Sequence, residues 1–405
     1  MIRNITIAAV SLLFLSACGG GGGSGTTSSS DLNTTSTNET NTTSDTNITL
    51  TSFMGIDKVM IGAQMSDTTA SSAPFDARYL YLAGGAASDS SCMTSCKASS
   101  SCGAWWGCWQ WDELPPGVYP SNHIQNAASA TWQGAAHPQV PVFTYYLWLN
   151  TSKNGEGSAE VTAMNDSTIL TRYLNDWRFL LQKIGNERAI LHIEPDLWGY
   201  VRAVNSNPHA IPAPVKTANP TDCSTQENSA AGFARCMISM VRKYAPNATV
   251  GLHASPWNYS QSGDAESIAN FMLELGAGEG DFIVTDPADR DAGWYEIQGQ
   301  SYRWWDEQKA TAYLAWSKML SEQTGKPTMM WQIPLGNMDQ NNTYQHYKDN
   351  RVDWLFSHIN DVAASHVVGL FFGSGDTPQT NPETDGNNLI NKTIQYWQSG
   401  GTPLN

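Results

Sequence analysis

Residues 165–200 read NDSTILTRYLNDWRFLLQKIGNERAILHIEPDLWGY. Asn165 or Asp166 can accept the free N–H groups at a helix start, and Ile169, Tyr173, Trp177, Leu180 and Ile184 then recur at the spacing of one apolar helix face. Gly185 supplies a stop. The run 189–196, AILHIEPD, follows at once: apolar residues that end in carboxylates, as in a buried strand entering a loop. A helix that hands the chain directly to a buried strand is the repeating unit of parallel sheets with crossover helices.

The same alternation extends in both directions. Strands are expected at 57–65, 78–84, 139–149 and 189–196, then at 248–255, 281–287, 327–334 and 367–373. A second amphipathic stretch over about 303–323 stops at Gly325 and Pro327, just before a strand. Eight strands with helices between them specify an α/β chain closed as a (β/α)8 TIM barrel over 53–405. The largest insertion, 86–138, follows strand two and holds Cys92, Cys96, Cys102 and Cys108 with Trp105, Trp106, Trp109 and Trp111, so a disulfide-stapled lobe beside the barrel mouth is expected there.

The ends carry different information. Met1–Ala17 has Arg3, an apolar stretch and small residues, the make-up of a secretory signal. Leu15-Ser16-Ala17-Cys18 resembles the lipobox of bacterial lipoproteins, which implies lipidation of Cys18 and, with Gly19 following, export to the outer membrane or cell surface. Residues 18–52 are Gly, Ser, Thr, Asn and Asp almost throughout, a flexible linker with a reach of roughly 30 Å. Six further cysteines in an oxidising compartment suit disulfides, with Cys223 and Cys236 bracketing a short loop and the first four pairing among themselves.

Composition removes several functions. The chain has 22 Lys+Arg against 37 Asp+Glu, a formal charge of −15, and so lacks the basic surface that neutralises nucleic-acid phosphates or anionic lipid. Membrane contact is expected only through the N-terminal lipid. Neither a G-x-S-x-G elbow, an H-E-x-x-H helix nor a phosphate loop occurs, and the glycines at 20, 22 and 25 belong to a low-complexity run rather than a dinucleotide site. Neither cofactor nor metal is expected.

In a barrel of this kind chemistry sits where strands end. Alternation along strand four places His192, Glu194 and Asp196 on one side, and strand six ends at Asp286, with Asp289 and Asp291 in the loop beyond. Glycosidic hydrolysis needs one protonated carboxyl and one ionised carboxylate, so Glu194 and Asp286 are the expected catalytic pair. Asp196, His253, Gln332 and Asp376 are supporting or reserve candidates. Flat aromatic rings cover the C–H faces of sugars. Tyr145, Trp148, Trp198, Trp257, Trp294 and Trp331 are therefore expected to bind substrate, with Tyr146, Ser255 and Asn337 nearby at strand ends.

Leu191–Gly199 is similar to the Glu-Pro-Asp signature of glycoside hydrolase family 6, the cellulases, and Asp286-Pro287-Ala288-Asp289-Arg290-Asp291 resembles their Pro-x-Arg-Asp element. The order of the two elements is reversed here and the strands are regular, so the resemblance implies the broader class of (β/α)8 glycoside hydrolases. Within that class an acid/base on strand four usually follows Asn, and a nucleophilic Glu ends strand seven. This chain has Ile193 and Gln332 instead. The expectation is an extracytoplasmic glycoside hydrolase acting on a polysaccharide or oligosaccharide such as a β-glucan. The other reading is a surface glycan-binding lipoprotein that uses the same tryptophans without turnover.

Overall fold

Eight short strands form the centre of the molecule: β1 Met60–Ala63, β2 Ala77–Leu82, β3 Val140–Tyr145, β4 Ile190–Ile193, β5 Thr249–His253, β6 Phe282–Thr285, β7 Thr328–Ile333 and β8 Val367–Phe372. The structure, a computed structural model, describes residues 50–83, 117–256 and 263–404. Each strand pairs in parallel with its neighbours in sequence order, and β1 pairs with β8 to close the barrel. The architecture is the expected (β/α)8 barrel. Each observed strand is shorter than or equal to the segment foreseen for it, apart from one residue added at the start of β2, because the ends pass into loops.

The helices form for the reasons visible in the sequence. Asp166 Oδ1 accepts from the Thr168 and Ile169 N–H groups at 2.7 and 3.3 Å, capping Ser167–Ile184. Tyr173, Trp177, Leu180 and Ile184 of that helix are buried against the outer faces of β3 and β4. Asp306 caps Glu307–Thr324 in the same way. The Cys223–Cys236 disulfide is formed, with Cα atoms 5.3 Å apart, and fastens the loop before the helix Ala230–Tyr244.

Residues 118–128 depart from the inserted-lobe reading of 86–138. They form the crossover helix between β2 and β3, with Ile124 in the core and His123 edge-on to Phe143 at 5.2 Å. Residues 86–116 of that segment, with Cys92, Cys96, Cys102, Cys108 and four tryptophans, lie outside the described residues, as do Cys18 and the signal and linker residues up to 49.

Inside the barrel the layers change character from one end to the other. At the N-terminal end Phe53, in a tight turn with Ile56, sits edge-on to Phe282 at 5.5 Å and plugs the opening. The large rings need room, which Gly251 provides: a Cβ there would lie 2.6 Å from the Phe282 ring. Above this apolar floor the interior turns polar, with Thr144, His192 and His253 all buried and both imidazoles packed beside Trp331. Among the described residues, the C-terminal end is open.

Candidate active site

The backbone at two strand ends decides which side chains reach the opening. After β4, Glu194 has φ +49° and Asp196 has φ +68°. These left-handed steps, either side of Pro195, break the alternation that would have stacked His192, Glu194 and Asp196. The Glu194 side chain therefore turns out of the barrel. Its Oε1 accepts from the Leu147 and Trp148 N–H groups at 3.0 and 2.9 Å, at the start of the short helix Trp148–Ser152, and from the Tyr173 hydroxyl. Burial pushes its pKa up to about 8 against the hydrogen bonds that favour the charge, so the carboxyl is mainly protonated at neutral pH.

On β7 the irregularity is a bulge. Leu370 pairs with Met330 and Phe372 with Ile333, so Trp331 and Gln332 together stand opposite Phe371. Gln332 has φ +54°, and both residues face the opening, where the Tyr81 hydroxyl donates to Gln332 Oε1.

A cavity of about 720 Å³ results, lined among others by Tyr81, Tyr146, Asp196, Asp286, Trp331 and Gln332. Asp289, Arg290 and Asp376 form one rim; Arg290 pairs with Asp289 and, at 3.5 Å, with Asp376. A second cavity of about 680 Å³, between β2 and the helix Val118–Ala128, shares Gln64 and Ser374 with the first. Among the described residues no three His, Cys, Asp or Glu side chains converge so as to hold a metal ion.

The two mouth carboxylates have different surroundings. Burial raises the Asp196 pKa to about 6, with Asp286 also raising it and His253 opposing. Tyr146 donates to Asp196 at 3.4 Å. Asp286, its side chain 25% exposed, is bonded to His253 Nε2 at 2.8 Å. Behind it, His253 Nδ1 meets His192 Nε2 at 3.0 Å, and His192 Nδ1 meets Thr144 Oγ1 at 3.3 Å. The imidazoles are stacked with centroids 5.1 Å apart.

Several sequence expectations therefore need correction. Glu194 does not face Asp286 across the mouth; the carboxylates that the cavity brings together are Glu156, Asp196, Asp286, Asp289 and Asp376. Tyr145, Trp148 and Trp198 are wholly buried in the core outside the barrel, where Tyr145 donates to Asp176 and Trp148 to the Glu160 carbonyl, so they offer no surface to a ligand. Asn337 donates to the Asp385 carbonyl and is buried. Asp291 is buried too, accepting from the Gly336 and Thr380 N–H groups. Trp294 does not line the cavity and instead has the Arg290 guanidinium 5.0 Å above its ring, and His253 lies beneath the cavity floor. Ser255 is buried at the end of β5, and Trp257 falls outside the described residues. Tyr81, missed in the sequence, was available from alternation along β2 with Ala77 and Tyr79; Glu156 and Tyr200 come from loop and helix positions without a pattern.

The sequence matches no protein-family model and no curated protein. In structure the chain is similar to GH26C from Muricauda sp., with 10% identity, a TM-score of 0.48 and coverage of 86% of this chain and 87% of that one. It is also similar to a modular endo-β-1,4-mannanase of glycoside hydrolase family 26 from Cellulomonas fimi, at 11% identity and a TM-score of 0.47 over 86% and 72% of the two chains. Against the catalytic core of the cellobiohydrolase Cel6A from Chaetomium thermophilum the values are 19% and 0.31 over 53% and 58%. At such identities and superpositions these likenesses carry nothing about the chemistry of this chain.

Proposed function

We propose that the chain is a glycoside hydrolase in which Asp196 is the general acid and Asp286 the ionised partner. The observation that carries this reading is the pair itself: two carboxyls at one open barrel mouth, one pushed up to about 6 by burial and the other bonded to a buried imidazole. Hydrolysis of a glycosidic bond needs that division of labour, a proton for the leaving oxygen and a charge to attack or to activate water. Trp331, Tyr81, Tyr146 and Tyr200 give the cavity the mixture of flat apolar surface and hydroxyls that suits a sugar. The neighbouring cavity, which shares Gln64 and Ser374 with the first, has room for further units of an oligosaccharide or polysaccharide. The N-terminal signal, Cys18 and linker support placing this hydrolase outside the cytoplasm on a lipid tether.

The test is release of reducing sugar from glucans, xylans and mannans by the wild type, Asp196→Asn and Asp286→Asn. Release by the wild type that either variant lowers by at least about 100-fold supports the assignment. Binding of a glycan without release, unchanged in both variants, replaces it with the glycan-binding reading.

A further inference from the structure

We propose that His253 is a positioning residue, held by His192 and Thr144 in a hydrogen-bond chain of fixed direction that aims the Asp286 carboxylate at the mouth. The inference rests on the hydrolase reading above and adds residues that cannot touch substrate. His192 and His253 are each about 1% exposed, and both lie in the barrel interior under Trp331.

The direction follows from counting protons. A neutral imidazole has one N–H donor and one acceptor nitrogen, and an ionised carboxylate only accepts. With Asp286 ionised, the contact at 2.8 Å requires the proton of His253 on Nε2. With that ring neutral, Nδ1 of His253 is an acceptor, so the 3.0 Å contact requires the proton of His192 on Nε2 as well. His192 Nδ1 is left to accept from the Thr144 hydroxyl at 3.3 Å. Burial pushes the His192 pKa well below its ordinary value, which keeps that ring neutral as the chain needs. If Asp286 instead carried a proton and donated it, every link would reverse, with both rings protonated on Nδ1. While both rings are neutral, the tautomers of two buried histidines thus report which partner of the His253–Asp286 contact holds the proton.

The groups around the pair leave few competing partners. Trp331 approaches both rings at centroid distances of 4.7 and 5.8 Å, packing against them from β7. A residue that fixes the orientation of a reacting group through its tautomer can matter as much to rate as the group itself.

Two measurements on the full chain test this. Long-range ¹⁵N–¹H NMR of the histidines needs no activity; with Asp286 ionised, both His192 and His253 are expected as Nε2–H tautomers. Either ring protonated on Nδ1 at the pH of activity overturns the chain. The kinetic arm compares His253→Gln, whose amide nitrogen can take the place of Nε2 and donate, with His253→Leu, which cannot. His253→Gln is expected to keep kcat within about 10-fold, and His253→Leu to lose about 100-fold or more with KM little changed. Equal kcat for both variants and the wild type overturns the positioning role. Should His253→Leu fail to fold, His253→Gln and the tautomers still decide. Absence of sugar release by the wild type would remove the hydrolase reading alone, since the NMR arm stands apart from it.

Discussion

Glu194 and Asp196 are two residues apart and chemically similar, yet the backbone sends one into the core and the other into the mouth. Their replacements should differ accordingly. Glu194→Gln keeps the shape and an acceptor for the Leu147, Trp148 and Tyr173 donors, and loses no charge that the buried site favours, so activity is expected within about 3-fold of wild type, whereas Asp196→Asn loses at least about 100-fold. Assays of the two variants side by side check this; a larger loss for Glu194→Gln would return the acid role to it. The pH dependence carries the sign. An acid raised to about 6 is protonated, and so able to donate, below that pH. kcat/KM should therefore fall about tenfold per unit as pH rises beyond about 6, measured under substrate-limited conditions.

At the scale of the element, the strands and two crossover helices were legible because their signals are local: runs of buried residues, an aspartate cap before an apolar helix face, a glycine after it. The site was less so. Alternation predicts side-chain direction only while φ stays extended, and it failed at Glu194, where the residue before a proline would ordinarily be extended. The β7 bulge is equally silent in sequence, although it brings both Trp331 and Gln332 to the cavity. Tryptophans mislead for a different reason: Trp148 and Trp198 have the size that fills the space between barrel and helices, and the core claimed them. Packing elements also yield a stability prediction. Phe53 closes the floor through contacts with Phe282 and the lower interior, so Phe53→Ala should destabilise by about 3–5 kcal/mol in denaturant unfolding. KM should be unaffected, because the floor is at the end opposite the mouth.

For the whole molecule, buried acids set how stability varies with pH. Burial raises Asp76 and Glu194 to about 8 and Glu160 to about 7, and it raises Asp291 with help from Asp349 beside it. A raised acid binds its proton more tightly in the folded state, so the stability it contributes is complete below its unfolded value near 4 and is lost as pH climbs towards 8. The formal charge of −15 adds self-repulsion in the same direction. Asp222 opposes at the acid end: burial disfavours its charge, but Lys243 and Arg178 outweigh that and hold it down at about 2, a contribution present above pH 4 and lost as pH falls through 2. Stability should thus peak in weak acid, with Tm falling by the order of 5 °C between pH 5 and pH 8 in calorimetry. Glu194→Gln removes one of the titrating groups while leaving the Asp196 mouth in place, so its Tm should vary less over that interval than the wild type's. An unchanged slope would mean that Glu194 keeps its charge in the folded barrel, stabilised by the three donors on Oε1 against the cost of burial.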